Sequence, residues 1–131
     1  MFDLILLIDD NEADNFYHKM VIEDENMANE VVIMNSGQKA LDYLSTTDEG
    51  EYPSPDLILL DINMPGMDGW EFLEHYDRLE EEMQAHVIVV MLTTSHDPND
   101  LQRATSRRGV VGLKNKPLTP EMLREILENY F

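Results

Sequence analysis

Five short apolar runs punctuate the chain, at Leu4–Ile8, Val31–Met34, Leu57–Leu60, Val87–Leu92 and Val110–Leu113. Three of them are continuous over four to six residues and do not alternate. That pattern suits parallel strands buried on both faces. Longer stretches of helical periodicity separate the runs. Ala13, Phe16 and Met20 share one face of a first predicted helix, and Ala40, Leu41 and Leu44 of a second. Phe72, Tyr76, Leu79 and Met83 step by four, three and four along a third. Leu101 and Ala104 mark a weaker fourth, and Met122, Ile126 and Tyr130 line a fifth. Thr119 is the expected N-cap of the fifth, with Pro120 at its first position. Strands alternating with helices five times predict successive βαβ units and an α/β doubly wound parallel sheet.

The segment Ser45–Pro55, rich in Thr, Gly, Asp and Pro, is the longest predicted loop and reads as a surface insertion, not a linker. A length of 131 residues suits one domain, so residues 1–131 are expected to form a single unit with no output domain. The formal charge of −18 sets a surface that repels phosphate backbones and anionic lipid, which argues against direct nucleic-acid or membrane binding. Cysteine is absent, so disulfides and thiolate metal sites are excluded. The first apolar run is short, contains Asp3 and has no basic residues before it. It resembles neither a secretory signal nor a membrane span, and a cytoplasmic location is expected.

Position distinguishes a few of the 27 acidic residues. Asp9 and Asp10 directly follow the first predicted strand, and Asp61 ends the third. Thr93 ends the fourth, and Lys116 follows the fifth. Open α/β sheets bind ligands outside the carboxyl ends of their strands, where strand order reverses. If the first and third strands flank that point, Asp9, Asp10 and Asp61 converge. Three adjacent carboxylates repel, and one takes up a proton unless a cation intervenes. A hard divalent cation such as Mg2+ suits such a set, because it binds through one or two carboxylates, waters and phosphate oxygens. A strand-end carboxylate can attack phosphorus, while Lys and Thr stabilise the transferred oxygens. Each residue alone has a plainer explanation: Asp10 or Asn11 as a helix cap, Asp61 as an ordinary strand end. Four strand ends carrying the set in order outweigh those explanations.

The sequence resembles bacterial two-component response regulator receiver domains, of the chemotaxis-receiver-like kind. The matching segments are Leu7-Ile8-Asp9-Asp10-Asn11, Leu59 to Gly69 (LLDINMPGMDG), Met91 to Ser95 (MLTTS) and Lys116-Pro117. The resemblance implies a flavodoxin-like (βα)5 fold with strand order 2-1-3-4-5. It implies Asp61 as phosphoacceptor, Asp10 as direct Mg2+ ligand, Asp9 as its acidic neighbour and Asn63 as donor of a backbone carbonyl. Thr93 corresponds to the switch hydroxyl, and Lys116 to the phosphoryl-pairing lysine, with a cis bond to Pro117. Pro65, Gly66 and Gly69 match the turn before the third helix. The implied function is a stand-alone response regulator. It is phosphorylated by a sensor histidine kinase or histidine phosphotransfer protein and signals to an unknown downstream protein by changed binding. The implied oligomeric state is a monomer or a weak dimer through the fourth helix, fifth strand and fifth helix. One departure stands out: Leu113 occupies the position where the family often carries a switching Tyr or Phe.

Other patterns carry less. Asp10, Glu12 and Asp14 suggest a calcium loop, but Asn15 replaces its glycine and Val21 its final glutamate. His18, His75, His86 and His96 lack metal-ligand spacing, and His18 reads as a packing or surface residue rather than a phosphohistidine. Trp70 is expected to cover the start of the third helix. Arg103, Arg107 and Arg108 form the one basic cluster, read as helix-end charge balance or as an interaction patch. Thr94 and Ser95 read as a solvent-facing turn. A haloacid-dehalogenase-type phosphatase also uses an aspartyl nucleophile, but it needs a second Asp two residues on, where this chain has Asn63, and places its nucleophile on the first strand. A phosphorylation-independent interaction module would be free to lose the acidic set that is intact here.

Overall fold

The computed structural model describes residues 1–85, 88–93, 98–106 and 109–130. Val87, His86, Thr94, Ser95, His96, Arg107 and Arg108 lie outside the described residues. Five strands, β1 (Phe2–Ile8), β2 (Ala28–Met34), β3 (Leu57–Asp61), β4 (Ile88–Thr93) and β5 (Val110–Asn115), alternate with α1 (Glu12–Asp24), α2 (Gly37–Leu44), α3 (Gly69–Tyr76), α4 (Pro98–Thr105) and α5 (Pro120–Tyr130). The strands form one parallel sheet in the order β2-β1-β3-β4-β5, as expected from the resemblance.

The apolar runs are strands because their side chains serve both faces of the sheet in alternation. Leu6, Ile8, Ile58 and Leu60 point to one side, where α2 and α3 bring Ala40, Leu44, Trp70, Phe72 and Tyr76. Ile5, Leu7, Leu57 and Leu59 point to the other, against Val21 and Ile22 of α1 and Leu123 and Ile126 of α5. Every residue of β3 is buried. Fully burying a Leu or Ile side chain contributes roughly 1.5–3 kcal/mol, so the central strands anchor the fold and hold the strand ends in place.

Three helices depart from the predicted pattern. The predicted face of α1, Ala13, Phe16 and Met20, points to solvent, with Phe16 72% exposed. The buried side carries Asn15, His18, Val21 and Ile22. Its first half is polar because it passes over the carboxyl end of the sheet, where the carboxylates lie. Helix α3 stops at Tyr76, and Met83 falls in a separate 3-10 turn, Glu81–Met83. The chain folds back there: Gln84 Nε2 donates to the Tyr76 carbonyl (3.1 Å) and the Ala85 amide to the Tyr76 hydroxyl (2.7 Å). In α5 the buried residues are Leu123 and Ile126, with Met122 partly buried and Tyr130 43% exposed. The expected face is therefore turned by about one residue.

The expected cap of α5 at Thr119 forms, that of α1 falls on Asn11 and not Asp10, and Asp68 caps α3. Asn11 accepts from the Asp14 amide (3.0 Å), Asp68 from that of Glu71 (2.9 Å) and Thr119 from that of Met122 (3.2 Å), with Pro120 opening α5. Such caps are worth about 1 kcal/mol each. Residues 45–55 form the expected loop, holding one isolated bridge between Asp48 and Glu51. No helix among the described residues is long and apolar enough to cross a membrane.

Candidate functional site

The carboxyl ends of β1 and β3 flank the point where the strand order reverses, and those of β4 and β5 follow along the same end of the sheet. Backbone bonds that continue the ladders fix them there. The Asp9 amide donates to the Met34 carbonyl (3.2 Å), that of Ile62 to Leu92 (3.2 Å) and that of Lys116 to Thr93 (2.8 Å). Asp9 and Asp61 are buried, and Asp10 is exposed. One oxygen from each of the three lies within 4.8 Å of the others, so the predicted convergence occurs. Thr93 is fully buried at the end of β4. The Lys116–Pro117 bond is cis.

Lys116 is the counter-charge of this pocket. Its Nζ donates to Asp9 Oδ2 at 2.7 Å and Asp14 Oδ2 at 2.9 Å, and lies 3.2 Å from Asp61 Oδ1. Burial works against the ammonium. The bonds to Asp9 and Asp14, with the charges of Asp9 and Asp61, outweigh it and hold the lysine above its ordinary pKa. The Asp61 pKa is also raised, which for a carboxyl favours the neutral form. Burial first and the Asp9 charge second push it up to about 6, although Lys116 and the Asn63 amide both favour its ionised form. The two shifts are compatible because one ammonium is divided among three carboxylates, and the Asp61 share does not offset its burial and its charged neighbour.

The loop after β3 is shaped for access. Gly66 adopts φ +74°, a left-handed turn that a side chain would strain. The Gly69 amide donates to the Ile62 carbonyl (2.8 Å), closing the turn into α3. The Asn63 side chain is exposed, while its backbone faces Asp61. Trp70 is buried over the start of α3, as expected, and the Arg103 guanidinium lies 4.3 Å from its ring centroid. Arg103 is thus engaged with α3 through a cation–π contact. Leu113 is partly buried and packs against the α2–α3 side of the core.

Three residues on α1 lie at the site without having been expected there. Asp14 pairs with Lys116. Asn15 Nδ2 donates to the Asp9 carbonyl at 2.8 Å, while its buried Oδ1 has no protein partner. His18 is buried, and burial, followed by the Lys116 charge, lowers its pKa. The missed signal was spacing: Asp14 and His18 stand four apart on α1 with Asn15 beside Asp14, so the three share one side of the helix.

The donor set fits a hard cation. It offers clustered carboxylate oxygens, one of which, on Asp61, is displaced toward its neutral form by burial and then by the Asp9 charge. Fold and site together define a phosphoacceptor-type α/β domain. Sequence comparison agrees: the response regulator receiver domain family matches residues 5–128, and the chain belongs to that family. A probable methanogenesis regulatory protein, FilR2 of Methanothrix harundinacea, is 35% identical over 125 residues, covering 95% of this chain and 79% of that protein. A two-component response regulator from Cytophaga hutchinsonii superposes with a TM-score of 0.83 at 32% identity, covering 97% and 95% of the two chains. The Mn(2+)-bound form of response regulator Rcp1, a protein of Synechocystis sp., gives a TM-score of 0.73 at 29% identity over 96% and 90%. Several other curated relatives are longer proteins, of which this chain spans between 12% and 52%.

Proposed function

We propose that Asp61 accepts a phosphoryl group from a phosphohistidine on a sensor kinase or phosphotransfer protein, and that the modified domain signals by changed protein binding. The observation that carries this reading is the placement of the Asp61 carboxylate. It sits at the carboxyl end of the sheet, clustered with Asp9 and Asp10 and 3.2 Å from Lys116. Asp10, Asp9 and Asp61, with the Asn63 carbonyl, would hold Mg2+, which when bound neutralises charge on the phosphoryl oxygens.

An Asp61 oxygen attacks phosphorus, and the P–N bond to the donor imidazole breaks. Its electron pair leaves with the nitrogen, and an acyl phosphate forms on Asp61. Lys116 supplies an ammonium to one phosphoryl oxygen and Thr93 a hydroxyl to another, the kind of charge placement that phosphoryl transfer demands. The new group adds about −1.5 to −2 charges, enough to redistribute the Lys116 bonds. Leu113 replaces the usual switching aromatic, so we assign readout to movement of Thr93 and Lys116 and the segments they bond, without an aromatic swing.

The acidic surface, with a net charge of −18, supports a protein partner over nucleic acid and suits a domain of the cytoplasm. We place weak self-association or output on the α4–β5–α5 face, where Tyr130 is exposed. Sedimentation of Tyr130→Ala beside wild type tests that face, and unchanged association would remove it.

The decisive experiment is incubation with acetyl phosphate and Mg2+, read by intact-protein mass. Wild type should gain one phosphoryl mass, and neither Asp61→Asn nor chelator-treated protein should. Equal uptake by Asp61→Asn would refute the assignment. Multiple turnover of a phosphomonoester would point instead to a phosphatase.

A further inference from the structure

We propose that Asp14 is a positioning residue that holds the Lys116 ammonium on the α1 side of the pocket and competes with a phosphoryl group for it. This rests on the phosphoacceptor reading above. An ammonium has three N–H groups, and three carboxylates surround this one: Asp9 at 2.7 Å, Asp14 at 2.9 Å and Asp61 at 3.2 Å. Asp14 differs from the other two. Its side chain is 38% exposed, against 5% and 6%. It is also absent from the clustered trio Asp9, Asp10 and Asp61 that suits a cation. Its backbone is fixed, because the Asn11 side chain caps its amide at 3.0 Å.

With a cation on the trio, the charges of Asp9 and Asp61 are met from another source. Asp14 is then the one carboxylate around Lys116 outside the cation shell, and it retains its claim on the ammonium. A phosphoryl group on Asp61 competes for the same ammonium, which already lies 3.2 Å from Asp61. Asp14 therefore lowers the affinity of the pocket for phosphoryl-like anions, both by holding Lys116 back and by like-charge repulsion. Solvent screening at its half-exposed position limits the effect.

Beryllofluoride, a phosphoryl mimic, is titrated at saturating Mg2+ into wild type, Asp14→Asn, Asp14→Glu and Glu12→Gln, with binding read by calorimetry. Glu12 lies in the same first helical turn and is exposed, so its variant removes an equal charge without touching Lys116. Asp14→Asn should bind about three- to fivefold more tightly, the scale of a solvent-screened ion pair. Asp14→Glu should restore wild-type affinity, and Glu12→Gln should gain less than Asp14→Asn. Tighter binding also separates this role from a structural one, since damage to the pocket weakens binding. Asp14→Asn affinity equal to or below wild type overturns the proposal and leaves the phosphoacceptor reading intact. So does a Glu12→Gln gain as large as that of Asp14→Asn. Wild type that takes up no beryllofluoride overturns both.

Discussion

The Asp61 carboxylate is held in the pocket at a cost to the fold. Its pKa is raised from 3.8 to about 6, chiefly by burial and then by Asp9. Such a shift gives a stability term that is fully present below the unfolded value. There both states are protonated. The term is lost as pH rises through about 6, because the folded state must then ionise a buried carboxylate. The linkage is worth on the order of 1–3 kcal/mol. In chelator, Asp61→Asn should therefore be more stable than wild type at pH 7.5, and the gap should close toward pH 4. Urea unfolding at several pH values measures it. A gap independent of pH would show that Asp61 ionises in the folded state as it does in the unfolded chain. The proposed acceptor is thus a residue whose ionised form the fold holds at a loss, as perturbed groups at functional sites often are.

At the scale of elements, α1 is the most informative helix because it has two working faces. Its inner face puts Asn15 on the Asp9 carbonyl, Asp14 on Lys116, and His18, Val21 and Ile22 into the core. Its outer face leaves Phe16 72%, Tyr17 43% and Met20 40% exposed. Phe16 lines the same open cleft as Asp10, a member of the carboxylate trio, so a protein docking over the proposed acceptor would meet this ring. Exposed apolar residues grouped at a site mark an interaction surface. Phe16→Ala should slow phosphotransfer from a protein donor about tenfold or more, as the loss of an aromatic anchor does, while leaving the rate with acetyl phosphate unchanged. Equal slowing with both donors would mean that Phe16 supports the pocket instead. This helix also shows where sequence reasoning ends. Continuous strands read correctly because both faces of the sheet bury one kind of residue. The caps at Asn11 and Thr119 read correctly because they are local hydrogen bonds. The face of α1 read wrongly because its inner stripe is polar where it crosses the site and apolar only beyond it. The length of α3 read wrongly because Leu79 and Met83 kept its period after the chain had turned back on Tyr76. Convergence of Asp9, Asp10 and Asp61 was legible from strand ends, whereas the Lys116–Asp14 pair spans 102 positions and depends on how α1 lies over the sheet.

For the whole molecule, two electrostatic effects overlap and can be separated. A net charge of −18 on 131 residues disfavours the compact state through self-repulsion, and any salt relieves it by screening. The acidic pocket adds a local problem that Lys116 offsets in part and that a cation bound there would relieve further. Screening depends on ionic strength and is indifferent to any single carboxylate, whereas site binding stabilises by mass action and requires the ligands. Raising NaCl should therefore increase the melting temperature of wild type and Asp10→Asn alike. Millimolar MgCl2 at matched ionic strength should raise that of wild type further, by about 3–5 °C when the cation is near ten times its Kd, and that of Asp10→Asn by much less. Equal magnesium responses in the two proteins would assign the effect to the surface as a whole. A response confined to wild type would place it in the pocket, because the exposed Asp10 is one of 27 acidic residues in its charge but one of three in its position.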